Sequence, residues 1–194
     1  MKLILASSNA GKLVELRELL GDAGIELHVQ SDFGVDDAEE TGLSFIENAI
    51  LKARHAARAT GLPALGDDSG LCVDALNGAP GLYSARYSGV HGNAEANIDK
   101  LLRELDGLAD DQRSARFVCV LAMVRHPDDP MPLIAEGVWE GRVLHVRTGS
   151  NGFGYDPVFF SPAHGCGAAE LPPATKNRDS HRGIALAKMR TLLA

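Results

Sequence analysis

The chain has 194 residues, 45% hydrophobic and 23% charged, which is ample for a globular core. Its 19 Lys and Arg against 26 Asp and Glu leave a formal net charge of -7, a poor match for a nucleic-acid backbone. The longest apolar run, Phe117 to Val124, falls far short of the roughly 20 residues that span a bilayer.

Leu3-Ile4-Leu5-Ala6 reads as a buried strand, and Leu13, Leu16, Leu19 and Leu20 then recur at helical spacing up to Gly21. A second helix is signalled by Ser44 and Glu47 as a capping box. Ile46, Ala49, Ile50, Ala53 and Ala57 share one face of it, and Gly61-Leu62-Pro63 ends it. Apolar Ala64-Leu65, a polar break at Asp67-Asp68-Ser69-Gly70 and a strand-like Leu71-Cys72-Val73 come next. Ala94, Ile98, Leu101, Leu102 and Leu105 mark a third helix. Phe117 to Val124 is the best central strand, and His126-Pro127-Asp128-Asp129-Pro130 turns it back into Leu133 to Trp139 as an antiparallel pair. A short strand over Val143 to Val146, a glycine-rich loop and Val158-Phe159-Phe160 follow. The last helix starts near His181, with Ala185, Leu186, Met189, Leu192 and Leu193 inward. Together these predict one α/β domain over residues 1–194, a mixed twisted sheet with helices on both faces. Cys72, Cys119 and Cys166 are odd in number and lack C-x-x-C spacing, which argues against a disulfide framework or a zinc site. The first residues lack the basic-then-apolar build of a secretory leader, so a cytoplasmic protein is expected.

Four polar clusters go beyond what the fold needs. Ser7-Ser8-Asn9-Ala10-Gly11-Lys12 joins strand to helix with small residues, a helix N-terminus and a lysine, the chemistry of phosphate binding. Ala6 and Leu13 stand where a Walker A loop needs Gly and Ser or Thr, so it is not that motif. Glu39-Glu40 and Asp67-Asp68 are paired acids from separate segments. Neighbours on extended backbone point apart, so at most one acid of each pair faces a given site. Such acids suit a hard cation shared with substrate phosphates. The fourth cluster combines Gly149-Ser150-Asn151-Gly152-Phe153-Gly154-Tyr155-Asp156-Pro157 with Lys176 and Ser180-His181-Arg182-Gly183. A ring flanked by glycines can stack on a nucleobase, while Arg and His can donate to a base carbonyl. Each cluster alone also suits an ordinary turn, a helix cap or core packing. Together they describe a nucleotide–metal site.

The same residues resemble the inosine triphosphate pyrophosphatase (Ham1-like) family, in its bacterial branch. The resemblance rests on Ser7-x-Asn9-x-x-Lys12, Glu40-Thr41-Gly42 with Phe45-x-Glu47-Asn48-Ala49, and Ala64-x-x-Asp67-Asp68-Ser69-Gly70-Leu71. It continues through Gly78-Ala79-Pro80-Gly81, Ser84-Ala85-Arg86-Tyr87, Gly152-Phe153-Gly154-Tyr155-Asp156-Pro157 and Ser180-His181-Arg182-Gly183. It implies two lobes around a long mixed sheet with flanking helices, an active-site cleft between them, and a homodimer. It also implies Mg2+-dependent hydrolysis of ITP, dITP and XTP to the monophosphate and pyrophosphate. By motif position it makes Asp68 the proton acceptor and a metal ligand, and Glu40 a second metal ligand. Ser7, Ser8, Asn9, Ala10, Gly11 and Lys12 would hold phosphate. Ser69, Phe153, Gly154, Tyr155, Asp156, Lys176, His181 and Arg182 would bind the rest of the purine nucleoside triphosphate. Neither nucleic acid nor membrane is an implied partner. One stretch departs from the pattern: Pro172-Pro173-Ala174-Thr175 stands before Lys176, where the family usually carries acids. A Maf-like nucleotide pyrophosphatase and a nucleotide sensor without turnover are the rival readings, which a substrate panel and pyrophosphate release would separate.

Overall fold

The computed structural model describes residues 1–7, 16 and 24–193. Seven strands form one sheet in the order β2-β1-β3-β4-β5-β6-β7. They are β1 (Lys2–Ala6), β2 (Glu26–Val29), β3 (Ala64–Val73), β4 (Ser114–Val124), β5 (Leu133–Val143), β6 (Phe159–Ser161) and β7 (Cys166–Gly167). Among the described residues the α-helical spans are α1 (Phe45–Thr60), α2 (Ala94–Glu104), α3 (Pro173–Asp179) and α4 (His181–Leu193). β1 runs parallel to β2 and β3, while β6 is antiparallel to β5 and β7, so the α/β sheet is mixed as expected.

The chain divides into two compact units. The first comprises Met1–Ser69, Cys119–Gly137 and Arg182–Ala194, and the second Gly70–Val118 and Val138–His181. In the first unit the strand pleat sorts alternate side chains into two layers. Leu3, Leu5, Leu65, Cys119 and Leu121 pack with Ala185, Leu186 and Met189 of α4. Ile4, Ala6 and Ala64 pack with Ala53, Ala56 and Ala57 of α1. The small residues of α1 matter here. A Cβ on Gly66 would lie 2.1 Å from the Ala49 carbonyl oxygen, so helix and strand approach as closely as backbone permits. The second unit buries Leu71, Val73, Ile98, Leu101, Phe117, Trp139 and Phe159 in one cluster. Each such fully buried large side chain contributes roughly 1.5–3 kcal/mol.

The sequence reading departs from the structure at identifiable places. Asp67-Asp68-Ser69-Gly70 is no break, because β3 runs unbroken from Ala64 to Val73. β5 continues through Gly141 to Val143, and residues 144–146 form no strand. Gly141 is needed there, since a Cβ would lie 2.3 Å from the Phe160 carbonyl oxygen of the next strand. The strand after the glycine-rich loop starts at Phe159, with Val158 in a preceding 3-10 turn. β2 and α3 lay outside the expected elements. α3 forms despite Pro172-Pro173, because proline is well suited to a first helical turn. Ile46 and Leu192, expected to face inward, are exposed, and Asn48 takes an inward place on α1. The expected helix after β1 lies outside the described residues except for Leu16, which is helical and buried.

Candidate active site

The capping of α1 fixes the first acid. Ser44 Oγ accepts the Glu47 amide at 3.3 Å, and Glu47 Oε2 accepts the Leu43 amide at 2.9 Å. Just upstream, the Gly42 amide donates to Asn48 Oδ1 at 2.8 Å, which ties the Glu40-Thr41-Gly42 segment to the helix. Glu39 is exposed and Glu40 half-buried, so the pair splits as adjacent residues should.

The second pair splits more sharply. Asp68 shares the Gly66 face of β3, towards α1, and its Oδ1 lies 2.7 Å from Lys52 Nζ. The same ammonium lies 2.5 Å from Glu40 Oε1 and donates to the Asp67 carbonyl oxygen at 3.1 Å. Its three donors are thereby matched by three acceptors. Burial opposes the Lys52 charge, but Asp68 and Glu40 outweigh it and hold the ammonium above the ordinary lysine range. Glu40 and Asp68 thus converge on one point. Lys52 went unnoticed in the sequence because it reads as a solvent-facing helix residue; its position one residue before the buried Ala53 was the available signal.

Asp67 looks the other way. Its Oδ2 accepts Arg182 Nε at 2.9 Å, its Oδ1 accepts the Ser69 hydroxyl at 3.1 Å, and Ser69 Oγ accepts an Arg182 terminal nitrogen at 3.0 Å. Cys119 Sγ lies 3.7 Å from Asp67 Oδ2. Asp67 is 0% and Arg182 2% exposed, so this is a buried ion pair closed by a hydroxyl.

The register of the parallel strands sets Ala6 of β1 beside Gly66 of β3. Ser7 therefore leaves the carboxyl end of β1 at the level of the paired acids, the usual ligand-binding end of parallel strands. The expected phosphate residues Ser8, Asn9, Ala10, Gly11 and Lys12 lie outside the described residues.

In the second unit, Asp156 organises the glycine-rich loop. Its Oδ2 accepts the Phe153 amide at 2.7 Å and meets Lys176 Nζ at 2.8 Å. Gly152 has φ +79°, and a Cβ there would lie 2.1 Å from Asp156 Oδ2, so glycine is required. Lys176 Nζ sits 4.9 Å from the centroid of the Phe153 ring, which is 41% exposed. Tyr155 is a core residue whose hydroxyl donates to the Ser84 carbonyl oxygen at 2.9 Å, leaving Phe153 as the exposed ring of this loop. His181 is buried and stacks on Phe117 at 4.7 Å between centroids and 12° between planes. α3 brings Lys176 to Asp156 and ends at Asp179. The Asp179 carboxyl is held down near about 2 by Arg178 and then by His164.

No helix among the described residues is long and apolar enough to cross a membrane. The chain is 61% identical over 186 residues to a dITP/XTP pyrophosphatase of Thioalkalivibrio sulfidiphilus, covering 96% of this chain and 95% of that one. Its structure is similar to that of a HAM1 protein from Coxiella burnetii, with TM-score 0.93 and 52% identity over 100% of this chain and 98% of that one. It is also similar to a nucleoside-triphosphatase / dITP/XTP pyrophosphatase from Mycobacterium abscessus, with TM-score 0.79, 44% identity and 100% of both chains covered. The Ham1 family model matches residues 3–192, with the paired acids of β3, the glycine-rich loop and the start of α4 all inside the match, and the chain belongs to the Ham1 family.

Proposed function

We propose that this chain hydrolyses ITP, dITP and XTP to the nucleoside monophosphate and pyrophosphate. The observation that carries the reading is the convergence of Glu40 and Asp68, from separate segments, on Lys52. The names of the relatives, dITP/XTP pyrophosphatase, point to the same reaction.

The donor set fits a hard divalent cation, because carboxylate oxygens and substrate phosphates are the ligands Mg2+ takes at nucleotide sites. Glu40 and Asp68 would hold it, and when bound it would offset charge on the phosphates.

Asp68 orients the attacking water and accepts its proton as the water oxygen bonds to the α-phosphorus. The α–β bond breaks, and its electron pair leaves with pyrophosphate. Lys52 fixes Asp68 through Oδ1. Ser7 to Lys12 hold the phosphates through backbone amides and the Lys12 charge, so the protein's work is positioning and electrostatics. Phe153 stacks on the purine, with Gly154, Tyr155, Asp156 and Lys176 shaping that loop. Arg182 and His181 donate to the carbonyl at C6, where adenine presents an amine and would set donor against donor. Ser69 supports Arg182. The family resemblance further assigns the chain, as one functional domain, to a cytoplasmic homodimer.

A triphosphate panel with Mg2+, following pyrophosphate separately from orthophosphate, tests the reaction. ITP should yield IMP and pyrophosphate, with chelation of the metal stopping turnover. IDP and orthophosphate as main products would overturn the assignment.

A further inference from the structure

We propose that Asp67 is a specificity-positioning residue: it sets the direction of the Arg182 guanidinium and takes no part in holding the metal. The inference rests on the reading above that Arg182 contacts the purine. Three observations carry it. Asp67 and Asp68 are adjacent on extended β3, so their side chains leave on opposite faces. Asp68 meets Lys52 at 2.7 Å on one face, and Asp67 meets Arg182 at 2.9 Å on the other. Only the peptide carbonyl of Asp67 reaches back to Lys52, at 3.1 Å.

The ring of contacts is closed. Ser69 donates to Asp67 and accepts from Arg182, while Arg182 Nε donates directly to Asp67. A guanidinium is a rigid planar fork of five N–H donors, so fixing two of them fixes the direction of the rest. The ion pair is fully enclosed, which removes the solvent screening that would let Arg182 swing between partners. Cys119 Sγ, 3.7 Å from Asp67 Oδ2, closes that carboxylate oxygen from the β4 side. One strand pitch thereby divides two tasks: the outward step at Asp68 serves the phosphates, and the step at Asp67 serves the base.

The test compares Asp67→Asn, Asp67→Glu and Arg182→Gln in the full chain. Selectivity is read as the ratio of kcat/KM for ITP to that for ATP, and metal binding as the Mg2+ concentration for half-maximal turnover. Asp67→Glu keeps the buried charge paired, so it remains informative if Asp67→Asn leaves Arg182 unpaired and fails to fold. The expected result is a selectivity loss of about tenfold in Asp67→Asn or Asp67→Glu, the value of one misdirected charged hydrogen bond, with an unchanged Mg2+ requirement. In an Arg182→Gln background, Asp67→Asn should bring no further selectivity loss. A raised Mg2+ requirement, or an added loss in that background, overturns the proposal. If Arg182→Gln itself leaves selectivity unchanged, the base-reading assignment of Arg182 falls and this inference falls with it. If Arg182→Gln lowers selectivity while both Asp67 variants preserve it, this inference alone falls.

Discussion

Each unit of the molecule buries a lysine against carboxylates, and the two differ in charge balance. Lys52 in the first unit meets Glu40 and Asp68, so the three side chains carry one surplus negative charge. Lys176 in the second forms a one-to-one ion pair with Asp156, with the Phe153 ring beside it. Buried charge is costly unless matched, and on the proposed function the first group would take up a cation while the ring beside the second would stack on the purine. The same residue type, at similar burial, thus stands in two different settings, one between two carboxylates and one beside an aromatic ring.

The strongest way to break this comparison is to remove the surplus charge. Asp68→Asn keeps the side-chain size and lets Lys52 retain Glu40, so the fold should persist. Loss of a general base typically costs about 10²–10⁴-fold in turnover. ITP turnover beside a thermal unfolding curve checks this. Near wild-type turnover would move catalysis away from Asp68.

The one-to-one pair should show itself in stability. Lys176→Met strands the Asp156 carboxylate, which is 2% exposed, and breaking a buried pair typically costs about 3–5 kcal/mol. Adding Asp156→Asn to Lys176→Met removes the stranded charge and retains an acceptor for the Phe153 amide, so most of the loss should return. Urea unfolding of the single and double variants decides it. Equal instability of both would show that Lys176 matters for packing rather than for charge.

The difference between the regions also explains what could be read from the sequence. α1 was legible because its signals are local: Ser44 and Glu47 at one end, Gly61 at the other, small apolar residues at helical spacing between. The paired acids stand out in the sequence, yet they read there as a break in a segment that the structure shows as one continuous strand. Acids and glycine are depleted in strands, and β3 tolerates them only because distant partners neutralise them. Arg182 lies 115 residues from Asp67 and Lys52 lies 16 from Asp68, distances no local window spans. Lys176 was marked by resemblance while the helix that carries it was missed, because Pro172-Pro173 reads as a stop until its position in a first turn is known. Phe153, flanked by Gly152 and Gly154, is the ring the sequence favours for stacking, with Tyr155 a second ring in the same loop. The fold adds the reason Tyr155 differs, turning its hydroxyl to Ser84 in the core and leaving Phe153 exposed.

A smaller effect sharpens the assignment of the second region. Phe153→Ala removes a stacking surface common to every purine, worth roughly 1–3 kcal/mol. KM for ITP, XTP and ATP should rise together, with their ratios preserved. A change confined to one base would mean that Phe153 reads substituents instead of the ring face.

The smallest effect concerns the Lys52 charge itself. Its ammonium binds its proton more tightly in the folded chain than a lysine in the unfolded chain, because Asp68 and Glu40 outweigh the effect of burial. The stability it contributes is therefore fully present below the ordinary lysine pKa of 10.5. Across the window from there to the raised folded value, the unfolded chain has lost the proton and the folded chain keeps it. Stability must then fall as pH rises through that window. Tyr87 and Tyr155, whose hydroxyls are pushed up first by burial, bring a loss of the same sign in alkaline solution. They act equally in wild type and in Lys52→Met, so the difference between the two curves isolates Lys52. Measured by urea unfolding at intervals from neutral pH upward, the difference should stay constant to the ordinary lysine range and shrink beyond it. A difference that already shrinks between neutral pH and that range would mean that the two carboxylates do not hold the ammonium as the geometry requires, and the surplus negative charge assigned to this region would have to be placed elsewhere.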